Sequence, residues 1–341
     1  MKKRKLSINE FARSMGTSPA TISRALNDRP GVGEELRQKI KEEAQRIGYI
    51  SNSSLKKYTR EKRKIIAVLA NDIRNPYYAD IICAIKRELD CEGYQMIVFN
   101  TDDKVDEVIS VIDLIEELKC SGMIQITVAS EQIGRVLKKC SIPTVLINRM
   151  LKSFDTDVVT LDNFEAGYIV TRHLIERGHS HIGYLRGPLH SSSSYLRYEG
   201  YLKAMKNYRL AVPKYAVYEG DLMMETGHKC AEEFARIEEK RPTAMVISND
   251  LAAHGFVLGC IQEGIRIPED VSVISFDNNR FAATSVVPIT TVDCFANEMG
   301  SKAARVMIKR LNDPQKKIER VIMRPVLIER SSIMDLSSLE I

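Results

Sequence analysis

Along residues 8–47 the apolar positions recur three and four apart, the period that lines one face of an α-helix. Ile8, Phe11, Ala12 and Met15 form the first stripe, Ile22, Ala25 and Leu26 the second, and Leu36, Ile40, Ala44 and Ile47 the third. Helix signals bracket each stripe. Ser7 and Glu10 have the S-x-x-E spacing of a capping box, and Ser18 stands as an N-cap before Pro19 at the first helical position. Glu34 and Glu35 suit the positive end of the third helix, and Gly48 suits its termination. With Gly16 in the turn between the first two, the pattern predicts a helix-turn-helix completed by a third helix around one small apolar centre.

From Ile65 the period changes. "KIIAVLAND", "YQMIVFNT", "GMIQITV" and "PTVLIN" are short apolar runs of the buried-strand kind, separated by amphipathic stretches such as "YYADIICAIKRELDCEG". A second series follows "VVTLDN": a helix to Gly178, "HIGYLRG", a helix from about Tyr195 to Tyr208, "YAVYEGD", "TAMVISND", a helix to Gly264 and "VSVISFD". Such alternation predicts the α/β class, with mostly parallel sheets covered by helices and arranged as two lobes. "FANEMGSKAARVMIKRL" reads as one more amphipathic helix, crossing back to the first lobe.

Charge then separates the two regions. Residues 1–64 hold 17 Lys and Arg against 7 Asp and Glu, whereas the rest of the chain holds 33 against 38. A basic excess confined to one small end is the footprint of a nucleic-acid binder. On the predicted second helix, Ala20, Ser23, Arg24 and Asn27 lie opposite the apolar stripe. They are small, hydrogen-bonding or cationic, and so suit close approach to a polyanion.

Other classes recede. No apolar run approaches the roughly 18 residues needed to span a bilayer, and no apolar stretch follows the basic N-terminus as in a signal peptide; the expected compartment is the cytoplasm. The seven Cys are scattered without C-x-x-C spacing, which predicts free and mostly buried thiols. The chain carries no G-x-S-x-G, G-x-x-x-x-G-K-[ST], H-E-x-x-H or helix-opening G-x-G-x-x-G, and His179 and His181 have no partner cluster. Neither an enzyme nor a metal or other cofactor is expected.

Taken in order, "SINEFARSMGTSPATISRALN", "RPGVGEELRQKIKEEAQRIGY", "NPYYADIICAIKRE", "LDNFEAGYIVTRHLIERGHSHIGYLRGP", "RPTAMVISNDLAAHG", "IPEDVSVISFDNN" and "ITTV" resemble segments of the LacI/GalR (lactose-repressor/galactose-repressor) family of bacterial transcription regulators along essentially the whole chain. The resemblance implies a helix-turn-helix DNA-binding domain at 1–49, a hinge at 50–64 and a periplasmic-binding-protein-like effector and dimerisation domain at 65–341. Its N-lobe would take about 65–162 and 295–325, and its C-lobe about 163–293 and 326–341. The implied partners are a pseudo-palindromic double-stranded operator, a second copy of the chain and a small molecule. The alternatives are a cytoplasmic sugar-binding protein and an effector-independent regulator controlled by a protein partner.

Residue by residue, the family's second helix enters the major groove. Pro19, Ala20 and Arg24 match its base-reading positions, with Arg24 suited to guanine O6 and N7. Thr17, Ser18, Thr21, Ser23 and Asn27 are then phosphate contacts or caps. The family's hinge reads P-N-x-x-A-R-x-L; here "SNSSLKKYT" keeps Asn52 but carries Leu55, Lys56 and Tyr58 where alanine, arginine and the minor-groove leucine stand. Either Tyr58 or Leu55 supplies the wedge, or the operator is bent less.

In the effector domain a ligand is expected in the crevice at the carboxyl ends of the parallel strands. Asp72, Asn148 with Arg149, Asp162 with Asn163, Asp250 and Asp277 follow predicted strands, and Asp162 and Asn163 are equally placed to cap the next helix. Tyr77 and Tyr78 match a loop packing over the ligand, and Arg197 matches an effector-contacting position. Ser191 and Ser193 belong to "HSSSSY", which lacks the arginine of the purine-sensing relative and favours a sugar or sugar phosphate. A guanidinium and a carboxylate, Arg197 and Asp277, suit vicinal hydroxyls.

Overall fold

The N-terminal stripes become α1 (Ile8–Ser14), α2 (Pro19–Leu26) and α3 (Glu34–Ile47) in the computed structural model. The structure describes residues 8–26, 29–47, 63–102, 104–126, 130–238 and 240–337. Two compact units divide the chain, at 1–63 and 64–341. In the first, Phe11, Ala12, Ile22, Ala25, Ile40 and Ala44 form the core, with Ile8, Met15 and Leu26 packed against it. Gly16 takes a φ of +60°, a left-handed turn that closes α1. Leu36 departs from the expected stripe. It is 39% exposed, because it lies in the outer first turn of α3, beyond the reach of so small a core.

The second unit alternates as the periodicity predicts. Its first half is β1 (Arg63–Ala70), α4 (Pro76–Cys91), β2 (Gln95–Asn100), α5 (Val105–Leu118), β3 (Cys120–Gln125), α6 (Glu131–Leu137), β4 (Thr144–Ile147) and β5 (Asp157–Leu161). The second half is α7 (Asn163–Glu176), β6 (Ile182–Arg186), α8 (Ser192–Asn207), β7 (Val217–Glu219), α9 (Met224–Ala235), β8 (Ala244–Ile247), α10 (Asp250–Gln262), β9 (Ser272–Asp277), α11 (Arg280–Thr284) and β10 (Thr290–Asp293). Last come α12 (Ala296–Asn312), β11 (Arg320–Met323) and β12 (Val326–Ile328).

Two six-stranded sheets result, ordered β11-β5-β4-β3-β1-β2 and β12-β10-β9-β8-β6-β7. Ladders are parallel wherever the register is described, except β10 with β12, which is antiparallel. The chain therefore passes between lobes at 161–163, 293–296 and 323–326. The crossing helix α12 returns to the first lobe and packs on α4 so closely that a Cβ on Gly300 would stand 2.4 Å from the Ile81 carbonyl oxygen.

The serine loop is ordered as helix. Helix α8 starts at Ser192, ahead of the expected Tyr195, because the Ser191 hydroxyl caps it by accepting from the Ser194 N–H at 3.5 Å. Helices α7 and α8 touch backbone to backbone. A Cβ on Gly167 would fall 1.9 Å from the Arg197 carbonyl oxygen, and one on Gly200 would fall 2.2 Å from that of Phe164. That contact sets where the Arg197 side chain begins.

Candidate functional site

In the first unit the sequence of α2 dictates what its surface presents. Ser18 Oγ accepts from the Thr21 N–H at 3.1 Å and lies 2.9 Å from Thr21 Oγ1, so these hydroxyls serve the cap. Ile22 and Ala25 are buried, whereas Pro19, Ala20 and Arg24 are exposed on the opposite side. Thr17 and Ser23 are half-buried beside that face. A rigid helix with two small residues and one guanidinium outward can approach base edges without steric hindrance. Asn27, Asn52, Leu55, Lys56 and Tyr58 lie outside the described residues.

In the second unit one buried cluster gathers groups from distant segments. From α8, the Arg197 guanidinium donates through Nε to Asn163 Oδ1 at 2.9 Å, through Nη1 to the Ser248 carbonyl at 2.8 Å and through Nη2 to Cys294 Sγ at 3.4 Å. Its central carbon lies 4.5 Å from the centroid of the Phe276 ring, a cation–π arrangement. Asp277 Oδ1 stands 3.7 Å from Nη1, an ion pair without a hydrogen bond. Arg197 and Asp277 are each only 5% exposed. Burial raises the Asp277 carboxyl far above the usual range; Arg197 opposes this and Asp250 adds to it. Asp277 and Asn278 have φ of +113° and +56°, so the backbone itself turns this carboxylate into place. From α4, in the other lobe, the buried Tyr77 is the aromatic neighbour, its hydroxyl 3.6 Å from Met299 Sδ. Burial pushes the Tyr77 phenol up, with Cys294 and Asp277 reinforcing and Arg197 opposing.

The other expected residues divide by what their side chains already touch. Asn148, with φ +66°, is buried with an unpartnered Oδ1 and lines a cavity of about 750 Å³. That cavity lies beneath Met150, Leu151 and Phe154, against Ile322 and the start of α8, with Asp162 and Asn163 in its wall. Arg149 is buried in the wall of an adjoining cavity of about 240 Å³ with Glu131 and His190. Asp162 caps α7 through the Glu165 N–H at 3.0 Å. Ser191 and Ser193 are buried, 3.0 Å apart, at the start of α8. Tyr78 is part of the hydrophobic core, its ring centroid 5.7 Å from that of Tyr77.

Two carboxylates are engaged away from the cluster. Asp72 closes on its neighbour Arg74, Oδ2 to Nη2 at 2.6 Å, which holds its carboxyl below the usual range. Asp250 is fully buried: Oδ1 accepts from the hydroxyls of Ser275 and Thr291, and Oδ2 from the Asn279 N–H at 2.8 Å. Desolvation raises it to about 6 despite these bonds. It ties α10 to β9, β10 and the loop that follows Asp277.

Asn163, expected either at the crevice or as a helix cap, joins the cluster, and Phe276, Ser248 and Cys294, which were not among the expected contacts, complete it. The usable signal was position: each follows or ends a strand at the crevice, as Asp277 does. Among the described residues no grouping of His, Cys, Asp and Glu could hold a metal ion, and no helix is long and apolar enough to cross a membrane. The described cysteines are free. Cys120, Cys230, Cys260 and Cys294 are buried as expected, but Cys83 and Cys91 are exposed, since they fall on the solvent side of α4.

Comparison with known proteins matches these two constructions. Residues 7–52 match the model of bacterial regulatory proteins of the lacI family, and residues 171–333 that of the periplasmic binding protein-like domain. The NTD biosynthesis operon regulator NtdR of Bacillus subtilis (strain 168) is 31% identical over 328 residues, covering 95% of this chain and 99% of that protein. The HTH-type transcriptional repressor PurR of Mannheimia succiniciproducens is 27% identical, covering 96% and 98%. The fold is shared with a solved complex of the transcriptional regulator CelR with cellobiose, at a TM-score of 0.73 and 21% identity over 96% of this chain and 99% of that one. The chain belongs to the LacI family of bacterial DNA-binding transcriptional regulators.

Proposed function

We propose that the protein is a repressor that binds a pseudo-palindromic operator as a homodimer, and that a sugar or sugar derivative held between its lobes changes operator affinity. Pro19, Ala20 and Arg24 read base edges, and Thr17, Ser18, Thr21, Ser23 and Asn27 position the helix on phosphates. Asn52, Leu55, Lys56 and Tyr58 belong to the hinge, residues 50–64. A single three-helix unit offers too little surface for tight specific binding, and a second copy on a two-fold-related half-site supplies the rest.

The observation that carries the effector reading is the Arg197–Asp277 pair. Both groups are buried, 3.7 Å apart, with Tyr77 of the opposite lobe against them. A donor fork and an acceptor this close suit the oxygens of a vicinal diol, which accept from one and donate to the other. Contacts from both lobes let a ligand favour one lobe arrangement over another, which is the requirement for shifting a conformational equilibrium. CelR, of the same fold, is complexed with cellobiose. Asn148, Arg149, Ser191 and Ser193 belong to the polar surroundings of the crevice, while Asp72, Asp162 and Asp250 support its structure.

The test is a thermal-shift screen of the full chain against sugars, sugar phosphates and nucleobases, with Arg197→Ala in parallel. A ligand at 100 times its dissociation constant adds about 2.7 kcal/mol of stability. The expected result is a sugar-class shift lost in the variant and a matching change in operator affinity. A shift that survives Arg197→Ala places the effector elsewhere.

A further inference from the structure

Three backbone segments join the lobes, at 161–163, 293–296 and 323–326, so a change in lobe angle must be absorbed by torsions there. The Arg197 guanidinium is bonded into two of them. In the first, Nε donates to Asn163 Oδ1 at 2.9 Å, and Asn163 Nδ2 donates in turn to the Leu161 carbonyl at 3.1 Å. In the second, Nη2 donates to Cys294 Sγ at 3.4 Å. The third is drawn to the first through the backbone, the Asp162 N–H donating to the Met323 carbonyl at 2.9 Å. One buried side chain of α8 therefore braces the lobe crossings from within.

The second crossing is strained. Phe295 has a φ of +53°, a left-handed conformation that bulky residues rarely adopt, and it starts α12 without a side-chain cap. Such a conformation persists only where its surroundings over-determine it. Here the Phe295 N–H donates to Asp293 Oδ1 at 2.7 Å, the Cys294 N–H donates to the Asp277 carbonyl at 3.4 Å, and the guanidinium holds the thiol. That thiol is the weakest of the three acceptors on Arg197. Nε and Nη1 meet oxygens at 2.9 and 2.8 Å, whereas Nη2 meets sulfur, a poor acceptor. Burial pushes the Cys294 thiol up, with Arg197 opposing, so the group is a neutral thiol, and it donates to the Val292 carbonyl at 3.8 Å. A hydroxyl oxygen entering the crevice is a better acceptor than this sulfur, and Nη2 is the donor most readily given up to it.

We infer that Asn163 and Cys294 are positioning residues that make Arg197 the latch of the lobe crossings. The guanidinium holds the strained 293–296 segment through the thiol, and an effector oxygen that takes Nη2 from Cys294 Sγ lets that segment relax. Asn163 keeps the guanidinium in place through Nε while the exchange occurs. The inference rests on the reading of the Arg197–Asp277 crevice as the effector site and adds the route from occupancy to lobe angle.

The latch is tested without a ligand, by hydrogen–deuterium exchange of the full chain as wild type, Cys294→Ala and Cys294→Ser. Alanine removes the acceptor, whereas serine keeps one and offers Arg197 an oxygen. Exchange at 293–296 is expected to rise about tenfold in Cys294→Ala and to stay within about twofold of wild type, or below it, in Cys294→Ser, with β8 unmoved in both. Equal acceleration in both variants reports lost packing rather than a lost acceptor and overturns the latch, as does no acceleration in either. The displacement is tested by calorimetric titration of cellobiose, ribose and glucose 6-phosphate into the same three proteins. A sugar that binds should bind Cys294→Ser about threefold or more weakly than Cys294→Ala, because the serine oxygen competes for Nη2. Equal affinity, or no binding by any of the three, overturns the displacement; the exchange result still decides the latch, and the Arg197→Ala screen decides the crevice.

Discussion

The two units place their chemistry in opposite environments. On α2 the groups of interest, Pro19, Ala20 and Arg24, stand in solvent on a helix whose other face is buried. In the effector unit Arg197 and Asp277 are almost wholly removed from solvent and held by partners drawn from three other segments. An exposed guanidinium adapts to whatever base edge it meets, at a cost in rotamer entropy. A buried one is preorganised, and the protein has already met the cost of desolvating it. Under the proposed function, reading DNA rests on a surface and sensing a small molecule on an interior.

Three measurements would break or sharpen this contrast. The largest effect is expected from Phe11→Ala. Phe11 is fully buried in a core of very few side chains, so its truncation should remove about 3–5 kcal/mol and unfold the reading unit. Operator binding should vanish while ligand binding and the melting of the 64–341 unit persist. Joint loss of both would mean that the units are not thermodynamically separate.

Next comes acidity in the interior. Asp250 is raised to about 6, so the folded unit holds a proton that the unfolded chain releases near the ordinary carboxylate value. The resulting stability is fully present below that ordinary value and is lost as pH rises through about 6. Wild-type stability should thus fall between about pH 4 and 7, by up to about 3 kcal/mol from this group. In Asp250→Asn that part of the slope should disappear in denaturant titrations at each pH. An unchanged slope would assign the titration elsewhere.

The smallest effect, and the most informative about reading, is Arg24→Ala. It should cost about 1–3 kcal/mol on the cognate operator and relax one base position. Uniform weakening on all sequences would reduce Arg24 to a phosphate contact.

Much of the fold was legible because it is local. Periods of three to four residues and short apolar runs place most of the helices and strands, and the headpiece face follows from a single helix. Arg197 and Asp277, and Asn163 as one of two readings, could be singled out in sequence, but the other partners could not. Asn163, Ser248, Phe276 and Cys294 meet only because parallel strands bring their carboxyl ends to one crevice, a non-local fact. Asp250 misled for the same reason. Residues that follow a strand point either across the crevice or back beneath it, and only the packing of α10 on β9 and β10 decides which. The serines before Tyr195 read as loop because Ser is a weak helix former, yet Ser191 at the cap makes the following serines the first turn.

The late strands have a consequence for the order in which the protein comes into being. β11 and β12 supply an edge to each sheet, and Ser332 closes the second, its carbonyl accepting from the Val273 N–H at 2.8 Å and its hydroxyl from the Thr290 N–H at 2.8 Å. The second lobe is not closed until Ser332 has been made, whereas the three helices of the first unit are made by Ile47. At about 5–20 residues per second the delay is on the order of tens of seconds. During translation the nascent chain carries its helix-turn-helix unit without the finished lobes, and a premature stop before β11 makes that condition permanent.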